Sequence, residues 1–194
     1  AQYGVSVYVL PLPGEARMHL KCAVIDEDTV IAGTANWTPA AFDDNFEDTL
    51  IIRSKTLAQS YRAHLESLMS NAEQRDSDFD ENAERLKYPE PEKYERVFNA
   101  DFFQASQARI VRDIRQVDVA FNPGRDGLHH LLSQMSEAQQ RIDIGMYLVN
   151  EPEVVKALTE IARQGKVKIR MLIDSGMLEG SLLAAAQELW DAGV

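Results

Sequence analysis

Hydrophobic positions in residues 1–70 follow first the two-residue period of β-strands and then the period of a helix. Runs rich in β-branched residues predict strands at 4–10, 18–25, 29–33 and 49–52. Apolar side chains then recur at helical spacing, so residues 56–69 are expected to form an amphipathic helix. The first segment is therefore predicted to contain four strands followed by one helix.

Residues 116–194 show a different order, in which strand-like and helix-like runs alternate. Strands are predicted at 117–121, 142–149 and 167–173, and helices at 127–140, 151–164 and 181–192. Gly165 is expected to end its helix as a C′ glycine does. Such alternation is typical of crossover connections and a largely parallel sheet. Three basic residues near the last strand, Lys166, Lys168 and Arg170, are expected to be solvated.

Residues 71–115, between these segments, are predicted to form an acidic, largely helical connector. Residues 66–96 contain ten acidic and five basic side chains. A solvated connector is the favoured interpretation, and an acidic patch that binds another protein is the alternative. Four apolar residues near its end indicate packing onto the fold: Phe98, Phe102, Phe103 and Ile110.

Neither terminal segment has the elements to bury its own strands. Residues 1–70 lack helices for both faces of a sheet, and residues 116–194 lack further strands. Each segment alone would expose an apolar sheet face, which monomeric proteins avoid. We therefore expect an α/β fold, with a mixed sheet that is flanked by helices on both faces and assembled from both terminal segments.

Composition narrows the class of protein. With 194 residues, 45% hydrophobic and 26% charged, the chain is globular rather than disordered. A single cysteine excludes a disulfide framework and any zinc site built from several cysteines. The net charge of −11 argues against coating nucleic acid by bulk electrostatics, although it leaves room for one small basic site. No run approaches the roughly 20 apolar residues of a membrane span, so no transmembrane segment is expected.

The strongest chemical signal is the spacing His-x-Lys-x4-Asp-x6-Gly-Thr-x-Asn in residues 19–36. On a strand, His19 and Lys21 point to one face while their neighbours point to the other. Lys21 can neutralise phosphoryl oxygens, His19 can attack phosphorus, and the Asn36 amide can donate a hydrogen bond. These residue types therefore favour phosphate chemistry.

This spacing resembles the signature of the phospholipase D superfamily, the HKD phosphodiesterases. Asn45 and Glu47 resemble the family's downstream Asn-x-Glu, whose Glu hydrogen-bonds the catalytic imidazole. The resemblance implies five catalytic residues, His19, Lys21, Asp26, Asn36 and Glu47, and four substrate-binding residues, Lys21, Asn36, Gly33 and Thr34. For Asp26, orienting the turn is favoured over proton transfer. Trp37 and Tyr147 are candidates to line the site, with core packing favoured for Tyr147.

The resemblance extends beyond the motif to the order of the segments. Residues 1–70 look like the C-terminal half of one HKD domain, and residues 116–194 like the N-terminal half of the next. The second segment carries the resemblance in residues 121–123, 142–147 and 167–174. The chain is thus similar to part of a tandem-HKD protein and carries one His-Lys pair where the family uses two.

The resemblance implies a hydrolase or transferase of phosphodiesters that works through a phosphohistidine and needs neither metal nor cofactor. Its substrate would be a phospholipid or a nucleic acid, and hydrolysis and transfer both stay open. The alternative is a catalytically incomplete fragment, or a scaffold or binding module on the same fold.

Two further expectations concern assembly and location. Because the family chemistry needs two histidines, we expect a homodimer with His19 and Lys21 of both chains near the two-fold axis. The dimer can form by domain swapping or by docking of two permuted monomers. We expect a soluble protein of the bacterial cytoplasm, with secretion left open because the chain looks as if it lacks its native N-terminus.

Overall fold

The computed structural model describes residues 5–10, 12, 17–75, 111–178 and 182–192. Its strands are β1 (Val5–Leu10), β2 (Lys21–Ile25), β3 (Thr29–Gly33), β4 (Glu47–Arg53), β5 (Glu73–Arg75), β6 (Gln116–Asn122), β7 (Arg141–Met146) and β8 (Lys168–Asp174). Its helices are α1 (Pro39–Asp43), α2 (Lys55–Met69), α3 (Asp126–Glu137), α4 (Pro152–Gln164) and α5 (Leu182–Asp191), with a 3₁₀ turn at Ser175–Leu178. Each predicted strand and helix is present within a few residues of its expected bounds, whereas α1 and β5 were not predicted.

The described strands form one mixed sheet in the order β5-β1-β8-β7-β2-β3-β4-β6. Strands of the first segment pair with strands of the second at three places, β1 with β8, β2 with β7, and β4 with β6. The predicted α/β fold assembled from both terminal segments is therefore confirmed, with both segments contributed by a single chain.

Helices cover the sheet on both faces. On one face α3, α4 and α5 pack against a large buried cluster that includes Ile144, Leu158 and Trp190. On the other face α2, the one helix found there among the described residues, packs against a smaller cluster that includes Leu65, Val24 and Leu172. Gly165 follows α4 with φ of 66°, so it ends the helix in the left-handed conformation, as predicted. The result is a three-layer arrangement with the sheet in the middle.

The sheet is mixed, as expected, but within the described residues the largely parallel pairing predicted for the second segment holds only between β7 and β8. Parallel pairing joins only β1 to β8 and β7 to β8 among the described strands, and the other pairs are antiparallel. The hairpins formed by β2, β3 and β4 lie between β7 and β6, so β6 and β7 have the same direction but are not neighbours. Alternation of strands and helices predicts crossover connections, but it does not predict which strands become neighbours.

A buried ionic cluster on the α2 face corrects a second expectation, the solvation of Arg170. Its guanidinium contacts the Asp143 carboxylate at 2.7 Å, and its side chain is only 15% exposed. Asp143 is buried and also contacts Arg62 at 3.0 Å and Arg141 at 2.8 Å. Burial alone would raise the pKa of Asp143, but the hydrogen bonds and charges of Arg170 and Arg141 hold it below its ordinary value. The cluster therefore joins β7, β8 and α2 through one ionised carboxylate.

Asp26, a predicted catalytic residue, lies far from His19. It follows the last residue of β2, about 17 Å from Lys21 at the rise of an extended strand. Its carboxylate accepts hydrogen bonds from the backbone N–H groups of Gln139, Gln140 and Arg141 at 2.7–3.0 Å. Its backbone has φ of 48°, a left-handed conformation that Asp tolerates better than most residues. Asp26 therefore ties the β2–β3 turn to the start of β7, which agrees with the turn-orienting role that was favoured over proton transfer.

Most of the predicted connector, residues 76–110 with Phe98, Phe102, Phe103 and Ile110, lies outside the described residues. At its described ends, β5 pairs with β1 at one edge of the sheet and residues 111–115 lead into β6 at the other. Asp113 accepts hydrogen bonds from the Ser54 hydroxyl at 2.6 Å and from the Thr56 N–H at 3.0 Å. This contact fixes the chain entering β6 to the start of α2.

Replacing Asp143 with Asn should lower the free energy of unfolding by about 3 kcal/mol at pH 7, since three arginines lose their buried counterion. Because the folded pKa of Asp143 is depressed, its stabilisation is present above the unfolded pKa near 4 and is lost as the pH falls through the folded value. Urea unfolding of both proteins across pH 3–7 should therefore show the difference narrowing at the acid end. Glu160→Gln, at an exposed helix pair with Lys156, is the control and should change stability little. Equal stability of wild type and Asp143→Asn at pH 7 would contradict this account.

Replacing Asp26 with Ala should lower the free energy of unfolding by about 2–3 kcal/mol, because three backbone donors lose a charged acceptor and Ala disfavours the left-handed backbone. Glu27→Ala, at the exposed neighbouring position of the turn, should have little effect. Chemical denaturation measures both. An Asp26→Ala protein as stable as the Glu27→Ala protein would show that the turn does not depend on the carboxylate.

Candidate active site

Four predicted site residues gather at one end of the strands, which we call the site edge to distinguish it from the outer strands β5 and β6. In antiparallel pairs, the start of one strand lies beside the end of the next, so residues from both positions meet there. Lys21 at the start of β2 pairs with Met146 at the end of β7. Gly33 at the end of β3 pairs with Thr49, two residues after Glu47 at the start of β4. The edge therefore collects His19, Lys21, Asn36 and Glu47, while Asp26 lies at the opposite edge.

His19 and Lys21 contact each other directly. The Lys21 ammonium lies 3.1 Å from the imidazole Nδ1 and 3.3 Å from Nε2. A position in the ring plane and nearly equidistant from both nitrogens would clash with the carbon between them, so the ammonium lies over the face of the ring. It also donates a hydrogen bond to the His19 carbonyl at 3.1 Å. Both ring nitrogens consequently keep their in-plane directions open to a ligand.

The strand that carries this pair is anchored from behind. Met18, Cys22 and Val24 are buried in the α2-side cluster, as the alternation of the strand predicts. The backbone N–H of Met18 donates to the buried Asp174 carboxylate at 2.7 Å, and the N–H of Tyr147 donates to the Leu20 carbonyl at 2.9 Å. His19 therefore lies between two fixed backbone positions although its own side chain is exposed.

Gly33 and Thr34 bind the backbone of β4. A Cβ on Gly33 would lie 2.2 Å from the Asp48 carbonyl oxygen, so no larger residue fits this approach. The Thr34 N–H donates to that oxygen at 3.1 Å, and the Thr34 hydroxyl oxygen accepts from the Asp48 N–H at 3.0 Å. These contacts give Gly33 and Thr34 a positioning role at the site edge, and their contact with substrate stays a prediction.

Asn36 lies on a loop that bridges to the residues following β7. The next residue, Trp37, is buried, and its N–H donates to the Leu148 carbonyl at 3.1 Å. The Trp37 carbonyl accepts from the N–H groups of Asn150 and Glu151, both at 2.9 Å. The Asn36 side-chain oxygen is buried and has no hydrogen-bond partner in the described part of the chain. The loop thus holds an amide with unused hydrogen-bonding capacity at the same edge.

Glu47 acts on the site through its charge. Burial lowers the pKa of Lys21, and the negative charge of Glu47 opposes that shift. The Glu47 carboxylate accepts a hydrogen bond from the Asn45 side chain at 3.4 Å. The expected hydrogen bond to the His19 imidazole is not formed in the described structure, in which Glu47 is an electrostatic partner of Lys21.

Tyr147 lies beside the histidine–lysine pair and not in the core, which corrects the favoured interpretation. Its ring centroid is 4.6 Å from that of His19, with the two planes tilted by 45°. The Lys21 ammonium lies 5.2 Å from the same ring centroid. Tyr147 is half-buried and follows the last residue of β7.

The sequence analysis did not predict Asp174 at this edge, and it favoured core packing over a site position for Tyr147. Both stand at the carboxyl ends of the parallel strands β8 and β7, where ligand sites in α/β sheets commonly lie. A polar group directly after a buried apolar run was the available signal for both.

Two searches of the described residues were negative. No group of three or more His, Cys, Asp or Glu side chains in the ranges above is arranged to hold a metal ion. None of the helices described here has the length and apolar character needed to cross a bilayer.

Comparison with known proteins gives a family match and one partial relative. The family model described as cardiolipin synthase, PLD-like domain, matches residues 1–69 and 131–194, which is more than half of the chain. A mitochondrial cardiolipin hydrolase from Xenopus laevis is 39% identical over 51 residues, which are 26% of this chain and 24% of the relative. The match thus spans about a quarter of that relative's length. No solved structure matches the chain significantly.

The ranges that the family model matches include the site residues described above, from His19 to Glu47 as well as Tyr147 and Asp174. Since the family model matches more than half of the chain, including residues from both terminal segments, the chain belongs to the phospholipase D superfamily.

Proposed function

We propose that this protein is a hydrolase or transferase of phosphodiesters that acts through a phosphohistidine at His19. The contact between His19 and Lys21 carries the proposal. It presents a nucleophilic ring nitrogen beside a cation that can neutralise phosphoryl oxygens. The family membership supports the same reaction class.

In the first step, a lone pair of the His19 ring attacks phosphorus and forms a P–N bond while the P–O bond to the leaving group breaks. A second histidine, protonated, transfers its proton to the leaving oxygen. In the second step, water or an alcohol attacks phosphorus and gives its proton to that second histidine. The P–N bond breaks, its electron pair returns to His19, and the site is restored.

Lys21 and Asn36 would stabilise the transferring group, which carries its negative charge on the phosphoryl oxygens. Lys21 supplies the positive charge, and its partial burial reduces the screening of that charge by water. Asn36 supplies amide hydrogen bonds. Glu47 would keep Lys21 protonated, since its negative charge raises the lysine pKa against the effect of burial.

A phospholipid is the substrate class that we favour over nucleic acid. The names of the matched family and of the partial relative both concern cardiolipin, a phospholipid. The net charge of −11 adds repulsion for each phosphate of a polyanion. A single phosphodiester in a lipid headgroup meets less of that repulsion and can still bind Lys21.

We also propose that two copies of the chain meet at this edge. Each chain carries one His-x-Lys pair, and the reaction above needs a second histidine as acid and base. The described chain completes its own sheet, so the proposal takes the form of two closed chains that dock, rather than of swapped halves. A two-fold axis near His19 would supply each site with both histidines.

Replacing His19 with Ala should reduce hydrolysis of bis(p-nitrophenyl) phosphate and of phosphatidyl substrates by at least about 10³-fold, because the nucleophile is lost. The fold should persist since the side chain is exposed. His130→Ala, at an exposed position of α3, is the matched control and should keep full activity. Mass spectrometry after an alkaline quench should find the p-nitrophenyl phosphoryl group on the peptide containing His19, since one of the two ester bonds survives the first step. Undiminished activity of His19→Ala would refute the mechanism.

Mixing experiments test the paired sites. Wild-type chains equilibrated with an equal amount of His19→Ala chains should lose about half of their activity per wild-type chain, because half of them enter mixed dimers. Light scattering at micromolar concentration should give twice the mass of one chain. His130→Ala chains added in the same amount are the control. A monomer that turns over substrate, or activity unaffected by the added variant, would contradict the two-histidine arrangement.

A further inference from the structure

The contact between the His19 and Lys21 side chains depends on the rotamer of each, because their anchored backbone leaves the side chains free to rotate. His19 is exposed and precedes the first residue of β2, and Lys21 has a long side chain with many rotamers. Their mutual contact at 3.1–3.3 Å therefore needs a fixed group beside it. A displacement of about 1 Å at a reacting group can cost on the order of 10²-fold in rate.

Tyr147 is the side chain in the described structure that contacts both members of the pair through its ring. The ring centroid lies 4.6 Å from that of His19 and 5.2 Å from the Lys21 ammonium. A cation at this distance from an aromatic ring is attracted by the negative face of the ring. The Tyr147 hydroxyl forms no hydrogen bond within the described residues, so the contacts are made by the ring itself.

The backbone of Tyr147 is fixed on both sides. Its own N–H donates to the Leu20 carbonyl at 2.9 Å, which continues the β2–β7 ladder between His19 and Lys21. Two residues later, Val149 forms a parallel bridge with buried Trp37. The Cα of Tyr147 is thus held against the backbone that carries the histidine and lysine, which leaves rotation about χ1 and χ2 as the freedom of the ring.

We propose that Tyr147 is a positioning residue, whose ring holds the His19 imidazole and the Lys21 ammonium in the contact that phosphoryl transfer requires. The inference about catalysis rests on the proposed function, whereas the inference about the arrangement of the three groups does not. The ring is the operative part, so phenylalanine should substitute for tyrosine at this position and leucine should not.

Steady-state kinetics with bis(p-nitrophenyl) phosphate test the catalytic part. Tyr147→Leu should lower kcat by about 10²-fold with KM changed less than about threefold, because the ground-state contacts of the substrate survive while the nucleophile loses its alignment. Tyr147→Phe should keep kcat within about twofold. Tyr61→Leu is the matched control, since Tyr61 is another half-buried tyrosine, on α2, packed in the opposite cluster. It should change neither constant.

Proton NMR of the substrate-free protein tests the arrangement independently of activity. The imidazole C–H signals of His19, identified by their absence in His19→Ala, should be displaced by the ring current of Tyr147. The displacement should persist in Tyr147→Phe and Tyr61→Leu and disappear in Tyr147→Leu. Thermal melting of each variant checks that the fold is retained.

The outcomes separate the two proposals. Displaced His19 signals in a protein without phosphodiesterase activity would refute the proposed function and support the arrangement of the three groups. Full kcat in Tyr147→Leu, or His19 signals unchanged in that variant, would overturn the positioning role. Equal losses of kcat in Tyr147→Phe and Tyr147→Leu would also overturn it, because the hydroxyl would then be the operative group.

Discussion

The antiparallel pairing of β2 with β7 is the constraint on which the remaining structure depends. It joins a strand of the first segment to a strand of the second, and its register sets Lys21 opposite Met146. A slip of one residue would move Ala23 and Ile25 to the face covered by α2 and would move Cys22 and Val24 to the other face, so both buried clusters would lose their packing. The burial of both sheet faces therefore fixes the register, and the register in turn fixes which side chains lie beside His19.

This joint also explains why the site lies at one edge of the sheet. On the β7 and β8 side the strands are parallel, so their carboxyl ends present Tyr147 and Asp174 together. On the β2, β3 and β4 side antiparallel hairpins return the chain to the same edge, which adds Lys21 and Glu47. Neither segment contains all of these groups, so the edge is completed only when the sheet is completed.

Sequence patterns predicted most strands and long helices because the residues that mark each element lie within it or directly beside it. Strands such as 29–33 are bounded by turn residues, and Ser54 caps α2 with a hydrogen bond to the Leu57 N–H at 3.1 Å. Which strands pair with each other was harder to predict from the sequence. β6 pairs with β4 across about 70 positions of the chain, and no local period in the sequence predicts this pairing.

The site was predicted in part for the same reason. The spacing of His19, Lys21 and Asn36 lies within one hairpin and its exit loop, so the sequence can report it directly. Arg170 and Tyr147 take their roles from partners far along the chain, Asp143 with Glu66 in one case and His19 with Lys21 in the other. From residue type alone, Arg170 could equally well be solvated, and Tyr147 could equally well be packed in the core.

The net charge of the whole chain influences which phosphodiesters can approach Lys21. A chain with net charge −11 repels every phosphate of a long nucleic acid, and the repulsion grows with the number of phosphates brought near the surface. Lys21, by contrast, attracts only the phosphate that reaches it. Glu47 sustains this charge by opposing the effect of burial, which lowers the pKa of Lys21. An acidic protein that presents a single lysine at its site is therefore better suited to isolated phosphodiesters than to polyanions, and this asymmetry is independent of family membership.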